Sequence, residues 1–323
     1  MIISVTPNPA LDQTVWLERL ELGRVNRTAD SQLDPAGKGV NVSRMIHRLG
    51  WPTVAFGFLG GETGSIIQSS LDTEGVQHHF VRVPGRTRIS MTVREPGRST
   101  SLFGGGPAVG PQQLAALDGL LGYWLQAAKV LVLAGSLPPG FPPATYATWI
   151  KAARARGVRV VLDASGEPLR LGLATGVDLV KPNLSEAEML LGRSLPDLPA
   201  QLAGTREIAA LSANPATAVV LSLGNAGALC VQGPSAWRAI PPKVPDRSTV
   251  GSGDSMVAGL AVALARGAPM VEGLRLGTAA GAATAMTPGT ALGASSDVQT
   301  LLPLVTVESL GPGVSADAGA SAG

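Results

Sequence analysis

Val130-Leu131-Val132-Leu133-Ala134 and Val158-Arg159-Val160-Val161-Leu162 are two short apolar runs, and a helical pattern over Pro143 to Arg156 separates them. Continuous runs of this length, rich in Val and Leu and bounded by turn residues, are typical of strands that are buried on both faces. A strand, a helix and a second strand in this order predict a βαβ unit with parallel strands. This stretch therefore decides the fold class.

The same alternation continues on both sides of this unit. Further strand-like runs cover residues 2–5, 177–180 and 218–222, and helical patterns cover 185–191 and 199–211. We expect a three-layer α/β/α fold with a mostly parallel central sheet. Ligands of such sheets bind beyond the carboxyl ends of the strands. Four polar turns would converge there, at residues 135–138, 163–165, 181–183 and 224–227.

Two segments, about 12–33 and 86–103, interrupt the alternation. Polar and apolar residues alternate within them, in runs at residues 14–17, 24–28, 88–93 and 99–103. We expect short antiparallel strands that form one small sheet standing off the main domain as a lid. Because a small sheet with exposed apolar groups such as Trp16 is seldom stable alone, we expect a homodimer that forms through the lid.

The bulk composition excludes several classes of function. The net charge is +2 and the chain has no Lys/Arg tract, so nothing indicates binding to nucleic acid or to an anionic membrane. Cys230 is the only cysteine, which excludes an internal disulfide and a cysteine-based metal site. The N-terminus lacks a signal-peptide pattern and no apolar run reaches about 18 residues, so we expect a cytoplasmic protein. We predict one domain over residues 1–310 and a disordered Gly/Ala/Ser-rich tail over 311–323.

The segment Ser248-Thr249-Val250-Gly251-Ser252-Gly253-Asp254 carries the most chemical information. Two glycines beside the start of a helical stretch allow backbone N–H groups to point at one spot, where the helix dipole adds positive potential. This pattern predicts a site for an anion, and Asp254 beside it can accept a proton from a nearby hydroxyl. Taken alone, the pattern is more typical of a helix start, in which Asp254 is an N-cap or first-turn acid and the glycines only make the turn.

A second glycine turn, Ala36-Gly37-Lys38-Gly39-Val40-Asn41-Val42, precedes another helical pattern. It has neither the P-loop spacing nor the dinucleotide fingerprint. Its backbone N–H groups, the Lys38 ammonium and the Asn41 amide suit a polar ligand, although a solvated lysine in a turn is the alternative.

Three weaker features lie after predicted strands. Asn183 and Glu186 suit a hydrated Mg²⁺, and the neighbouring Ser185 and Glu188 have the spacing of a capping box. A glycine turn suits the close approach of a nucleotide, through Ser222, Gly224 and Gly227. Asp12, just after the first predicted strand, can accept hydrogen bonds from sugar hydroxyls, and Arg88, on the predicted lid, can hold a phosphate.

Taken in this order, the sites resemble the ribokinase-like (PfkB) carbohydrate kinase family over about residues 1–305. The two glycine motifs carry most of the resemblance, together with Gly135-Ser136-Leu137-Pro138-Pro139-Gly140 and Val180-Lys181-Pro182-Asn183. Thr6-Pro7-Asn8-Pro9-Ala10-Leu11-Asp12 and Gly85-Arg86-Thr87-Arg88 are similar to the branch containing 1-phosphofructokinase, tagatose-6-phosphate kinase and the minor 6-phosphofructokinase.

The resemblance implies a ribokinase-like fold and ATP-dependent phosphorylation of a ketohexose phosphate. Fructose 1-phosphate, converted to fructose 1,6-bisphosphate, is the first candidate, and tagatose 6-phosphate or fructose 6-phosphate is the alternative. A sugar-phosphate sensor without catalysis on the same fold is a remote alternative, because both the base and the anion site are present.

The resemblance also implies roles for individual residues. Asp254 would be the catalytic base, and the anion hole would consist of the amides of Gly251, Ser252 and Gly253, although Ser252 stands where the family more commonly has Ala. Mg²⁺ would be organised by Asn183 and Glu186, and ATP would be bound by Ser222, Gly224 and Gly227. The phosphorylated sugar would be held by Asp12, Gly37, Lys38, Gly39, Asn41 and Arg88, with Arg24 and Asn26 contributing across a dimer. A monovalent cation such as K⁺ would bind the carbonyls of Ser248 and Val250.

Overall fold

A large mixed sheet forms the centre of the molecule. The computed structural model describes residues 1–28 and 30–311, so the predicted tail lies, from residue 312 onward, outside the described residues. The elements in chain order are β1 (Ile2–Thr6), β2 (Ala10–Trp16), β3 (Asp30–Ala36), α1 (Lys38–Arg48), β4 (Thr53–Leu59), α2 (Gly61–Glu74), β5 (Gln77–Arg82), β6 (Arg88–Glu95), β7 (Arg98–Phe103), α3 (Pro111–Trp124), β8 (Val130–Ala134), α4 (Thr145–Arg154), β9 (Arg159–Asp163), α5 (Gly166–Thr175), β10 (Leu179–Val180), α6 (Leu184–Leu191), α7 (Leu198–Ala210), β11 (Ala218–Ser222), β12 (Ala228–Gln232), β13 (Ser235–Ile240), α8 (Ser252–Arg266), α9 (Met270–Ala285), α10 (Ser295–Leu301) and β14 (Thr306–Ser309).

The large sheet has the order β14-β13-β12-β11-β10-β9-β8-β1-β4-β5. Its strands from β5 to β11 pair in parallel, and β11 to β14 pair antiparallel at one edge. Because the carboxyl ends of parallel strands meet at one edge, the turns after β8, β9, β10 and β11 open on the same side of the sheet. The predicted mostly parallel sheet is confirmed.

Helices cover both faces of this sheet. Within β8, Val130, Val132 and Ala134 belong to the core with α1, α8 and α9. Leu131 and Leu133 belong to the opposite core, which contains residues of α3, α4, α5 and α7. Alternate side chains of a strand point to opposite faces, so a continuous apolar run serves two cores. The three-layer α/β/α arrangement is therefore confirmed, and none of the helices in the described ranges is long and apolar enough to cross a bilayer.

The predicted elements of the βαβ unit agree closely with the structure. The strands over 130–134 and 218–222 have the predicted bounds, and the strand predicted over 158–162 lies one residue later. The strand predicted over 177–180 is limited to Leu179–Val180. The helix between the first two strands is Thr145–Arg154, shorter than predicted at both ends.

The small sheet has the order β3-β2-β6-β7. β2 and β3 are antiparallel, as are β6 and β7, but the central pair β2 and β6 is parallel, contrary to the predicted antiparallel sheet. The strand predicted over 24–28 is also wrong, because these residues lie in a loop. Asn26 closes that loop: its Oδ1 accepts from the Glu21 N–H and its Nδ2 donates to the Glu21 carbonyl, both at 2.8 Å.

Candidate active site

The predicted anion site is the amino end of helix α8. Gly251 precedes the helix in the left-handed region, with φ of 79°, and a Cβ there would lie 2.9 Å from the Leu292 Cδ2. Both observations favour glycine at this position. Since the first N–H groups of a helix have no partner within it, this end offers donors and a positive dipole to an anion.

Asp254 lies in the first turn of α8 and is 9% exposed. Its side chain does not cap the helix; instead its Oδ2 accepts a hydrogen bond from the Asn41 Nδ2 at 2.8 Å. Burial, reinforced by Asp163, raises the pKa of Asp254 to about 6, against the opposing effect of Lys38, Asn41 and Lys181. A buried carboxylate with this pKa is ionised at neutral pH and suited to accept a proton.

Four charged side chains form a cluster next to Asp254. The Lys38 Nζ lies 2.7 Å from the Asp163 Oδ1 and 3.3 Å from the Glu186 Oε1, and the Lys181 Nζ lies 3.5 Å from the Asp163 Oδ2. Burial alone would lower the pKa of Lys38, but Asp163 and Glu186 raise it above its usual value. Lys181 and Lys38 together hold the pKa of buried Asp163 below its usual value. The cluster therefore keeps two cations at the carboxyl ends of β9 and β10.

Asn183 and Glu186 form a reciprocal capping box at the start of α6. The Asn183 Oδ1 accepts from the Glu186 N–H at 2.8 Å, and the Glu186 Oε2 accepts from the Asn183 N–H at 2.9 Å. The capping box expected at Ser185 and Glu188 is therefore wrong, and the Glu188 Oε1 accepts from the Leu195 N–H instead. The capping box fixes Glu186 so that its other oxygen faces Lys38.

A cavity of ≈ 830 Å³ opens along these strand ends. Its lining residues include Lys38, Asp254 and two further residues of the first turn of α8. Four of the five predicted cofactor-binding residues line it, namely Asn183, Ser222, Gly224 and Gly227, whereas Glu186 does not. Of the predicted anion hole, Ser252 and Gly253 line the cavity and Gly251 does not. Gly227 also has a structural role, because a Cβ there would lie 2.0 Å from the Ala239 carbonyl oxygen. The volume is within the range of small-molecule sites.

Asp12 and Arg88 lie on the small sheet, on neighbouring strands. The Arg88 Nε and Nη2 donate to the Asn8 carbonyl at 3.2 and 3.1 Å. Burial raises the pKa of Asp12 to about 6; Ser90 and Arg88 oppose this rise, and Asp254 contributes to it. Neither Asp12 nor Arg88 is among the residues that line the cavity.

Gly37 and Gly39 bring helix α1 close to strand β1. A Cβ at Gly37, where φ is 113°, would lie 2.8 Å from the Thr6 Cγ2, and one at Gly39 would lie 2.4 Å from the Thr6 Oγ1. These glycines are therefore required by packing, whether or not a ligand contacts their amides.

The other predicted residues that do not line the cavity are Gly37, Gly39, Asn41, Arg24, Asn26, Ser248 and Val250. Arg24 and Asn26 are in the exposed loop before β3. The Ser248 side chain is buried, and its Oγ donates to the Gly289 carbonyl at 2.5 Å.

Two residues of the charged cluster, Asp163 and Lys181, were not predicted as site residues. The sequence feature that could have identified them is a single charged residue at the end of each apolar run. Their partners are distant in sequence: Lys38 and Asp163 are 125 residues apart.

The fold and site together define a carbohydrate kinase. The profile of the pfkB family carbohydrate kinases matches residues 6–297, and the chain belongs to this family. Kinases of this family use ATP and Mg²⁺, as the sequence resemblance implied.

Several relatives of the chain are named as phosphofructokinases. The chain is 37% identical to a 1-phosphofructokinase of Rhodobacter capsulatus, over 96% of this chain and 98% of the relative. It is 35% identical to the ATP-dependent 6-phosphofructokinase isozyme 2 of Mycobacterium tuberculosis, over 94% and 89% of the two chains. Among solved structures, phosphofructokinase-2 from Escherichia coli in complex with potassium has a TM-score of 0.87 and 33% identity, over 94% and 98%.

Proposed function

We propose that this kinase transfers the γ-phosphoryl group of ATP to a hydroxyl of a ketohexose phosphate. Fructose 1-phosphate is the first candidate, with fructose 1,6-bisphosphate as product. The observation that carries the proposal is Asp254: a buried carboxylate with a pKa of about 6, held by Asn41 at the amino end of a helix that opens into the cavity.

In the proposed reaction, the acceptor hydroxyl gives its proton to the Asp254 carboxylate. Its oxygen forms a bond to the γ-phosphorus while the bond to the bridging oxygen of ADP breaks, and Asp254 later releases the proton to solvent. Negative charge on the transferring group is stabilised by the N–H groups of Gly251, Ser252 and Gly253. Positioning and charge stabilisation of this kind account for most phosphoryl-transfer catalysis.

Asn183 and Glu186 are the proposed contacts for Mg²⁺, through water. Within residues 1–28 and 30–311 no group of three or more His, Cys, Asp or Glu side chains is arranged to hold a metal. One amide and one carboxylate, from Asn183 and Glu186, fit Mg²⁺, because this ion keeps several waters and binds together with substrate phosphates. When bound, Mg²⁺ neutralises charge on the nucleotide phosphates. The capping box fixes Glu186 for this contact. The Lys38 Nζ lies 3.3 Å from the Glu186 Oε1, so Lys38 can also contact the nucleotide phosphates.

A monovalent cation is proposed at the carbonyl oxygens of Ser248 and Val250. The Ser248 N–H and Oγ and the Val250 N–H are all used in hydrogen bonds. In the described part of the chain, the two carbonyl oxygens accept none. Unpaired carbonyl oxygens of this kind are ligands that suit K⁺.

The acceptor is proposed from the charged and polar residues of α1 and of the small sheet. We propose that Asp12 accepts hydrogen bonds from the sugar hydroxyls and that Asn41 forms a further hydrogen bond with the sugar, which lies close to Gly37 and Gly39. Lys38 and Arg88 bring the positive charge that a phosphorylated sugar requires. The relatives named 1-phosphofructokinase favour fructose 1-phosphate, and tagatose 6-phosphate or fructose 6-phosphate is the alternative.

A homodimer through the small sheet is part of the proposal. Leu33, Met91 and Leu102 occupy one row of that sheet and share a face with Ile89. Leu33 is 50% exposed and Leu102 59% exposed. A patch of this kind on a small sheet is favoured as a subunit contact. Arg24 and Asn26, in the exposed loop next to this sheet, would then reach the partner's sugar site.

The proposed function is tested by ADP release with four acceptors: fructose 1-phosphate, fructose 6-phosphate, tagatose 6-phosphate and free fructose. The proposal expects release that depends on a sugar phosphate, with the highest kcat/KM for fructose 1-phosphate. Preference for free fructose contradicts the proposed phosphate contacts. Tight binding of a sugar phosphate with no ADP release supports a sensor in place of a kinase.

A further inference from the structure

Arg94 belongs to the small sheet but makes its hydrogen bonds to the main body of the molecule. Its Nη1 donates to the Arg247 carbonyl at 2.7 Å, and its Nη2 donates to the Ser248 Oγ at 2.6 Å. These acceptors are adjacent in the loop that leads to Gly251 and helix α8. A planar guanidinium that donates to two acceptors fixes their relative position. Arg94 therefore ties β6 to the loop that forms the anion site.

Ser248 extends this tie towards Gly251 from a buried position. Its side chain is almost fully buried; its Oγ donates to the Gly289 carbonyl and accepts from the Val250 N–H at 3.3 Å. One hydroxyl thus contacts the guanidinium, a second loop and the peptide beside Gly251. Because packed interiors transmit small displacements, a shift of Arg94 changes the position of that peptide.

Strand β6 carries the proposed sugar-phosphate contact at its other end. Arg88 is the first residue of β6, and Arg94 follows six residues later. Alternate residues of a strand share a face, so both arginines lie on the face that includes Ser90, and Ser90 is in register with Asp12. Arg88 and Arg94 are about 20 Å apart along the strand, so β6 contacts the proposed sugar site at one end and the anion-site loop at the other.

We propose that Arg94 is a positioning residue that couples occupation of the sugar-phosphate site to the geometry of the anion site. The inference rests on the proposed function. A sugar phosphate held by Asp12 and Arg88 fixes β6, and Arg94 then holds the 247–251 loop where its amides receive the γ-phosphoryl group. Because coupling is reciprocal, the sugar phosphate should raise the affinity for nucleotide, by a factor of about 5–150.

The test measures this factor by calorimetry. The dissociation constant of a non-hydrolysable MgATP analogue is determined with and without saturating fructose 1-phosphate, at constant K⁺. In Arg94→Met the factor should fall towards 1 and kcat should drop about 10- to 100-fold. The two ligands should each bind alone about as in the wild type. Arg94→Lys should restore part of the coupling factor and part of kcat, because lysine keeps the charge and one donor.

Arg98→Met is the matched control. Arg98 is an arginine of the same small sheet, and its Nε donates to the Glu95 Oε2 at 2.9 Å, away from the anion-site loop. This variant should keep the wild-type factor and kcat. Thermal unfolding checks that each variant is folded, and if Arg94→Met does not fold, the factor measured for Arg94→Lys decides.

The proposal is overturned by a wild-type factor of 1, by an unchanged factor in the Arg94 variants, or by an equal loss in Arg98→Met. A wild-type protein whose ADP release does not depend on sugar phosphate contradicts the proposed function instead. The two failures are thus separate.

Discussion

Replacement of Asn41 by leucine removes the hydrogen bond to Asp254 and keeps a side chain of similar size. The Asn41 Nδ2 donates to the Asp254 Oδ2 at 2.8 Å, and both residues are buried. A hydrogen bond to a charged group contributes about 1.5–3 kcal/mol, which corresponds to about one to two pKa units. The pKa of Asp254 is about 6 with Asn41 present. It should therefore rise to roughly 7–8 in Asn41→Leu.

The consequence is a change in the pH dependence of kcat. At pH 7 the ionised fraction of Asp254 should fall from about nine-tenths to between about a half and a tenth, so kcat falls by about two- to tenfold. The activity should recover by pH 9, where the base is ionised again. The assay measures kcat from pH 5 to 9.5 with saturating fructose 1-phosphate and MgATP. An acid limb that stays near pH 6, or a loss of kcat that high pH does not restore, would show that Asn41 does not set the pKa of Asp254 in this way.

Three further variants test the site and its scaffold. Because burial raises the pKa of Asp254 from 3.8 to about 6, the ionised carboxylate costs stability at pH 7. Asp254→Asn should then be more stable to urea by up to about 3 kcal/mol at pH 7 and lose this advantage as the pH falls from about 6 to 4; lower stability at pH 7 contradicts the sign. Gly227→Ala should lower the Tm more than Gly224→Ala, because a Cβ at Gly227 meets the Ala239 carbonyl at 2.0 Å whereas one at Gly224 meets no atom within 4 Å; equal losses contradict this. Leu102→Lys should convert the proposed dimer to monomer in light scattering, and an unchanged mass contradicts that contact.

The sequence was sufficient for five of the ten strands of the main sheet, namely β1, β8, β9, β10 and β11, but not for the pairing of the small sheet. Apolar runs such as Val130–Ala134 specify buried strands by composition alone. Strand β3 has the sequence Asp30-Ser31-Gln32-Leu33-Asp34-Pro35-Ala36, which lacks such a run and contains a proline that an edge strand tolerates. The parallel pairing of β2 with β6 is a long-range contact that local alternation cannot reveal.

The candidate site was predictable where a motif is local. The glycine turn before Asp254 and the glycines around Lys38 are contiguous patterns. By contrast, Asn41 reaches Asp254 across 213 residues, and Asp163 gathers Lys38 and Lys181 only through the sheet order. The capping box of α6 was placed wrongly because two pairs with the same spacing overlap, and the sequence does not determine which one begins the helix.

The role of Asp254 as the base is tested most directly by comparing the wild type with Asp254→Asn in one assay of ADP release. Wild-type release should depend on added sugar phosphate. The variant should bind MgATP and fructose 1-phosphate in calorimetry, while its kcat should fall by about 10²–10⁴-fold or more. Near-normal turnover by Asp254→Asn would contradict the assignment of Asp254 as the base.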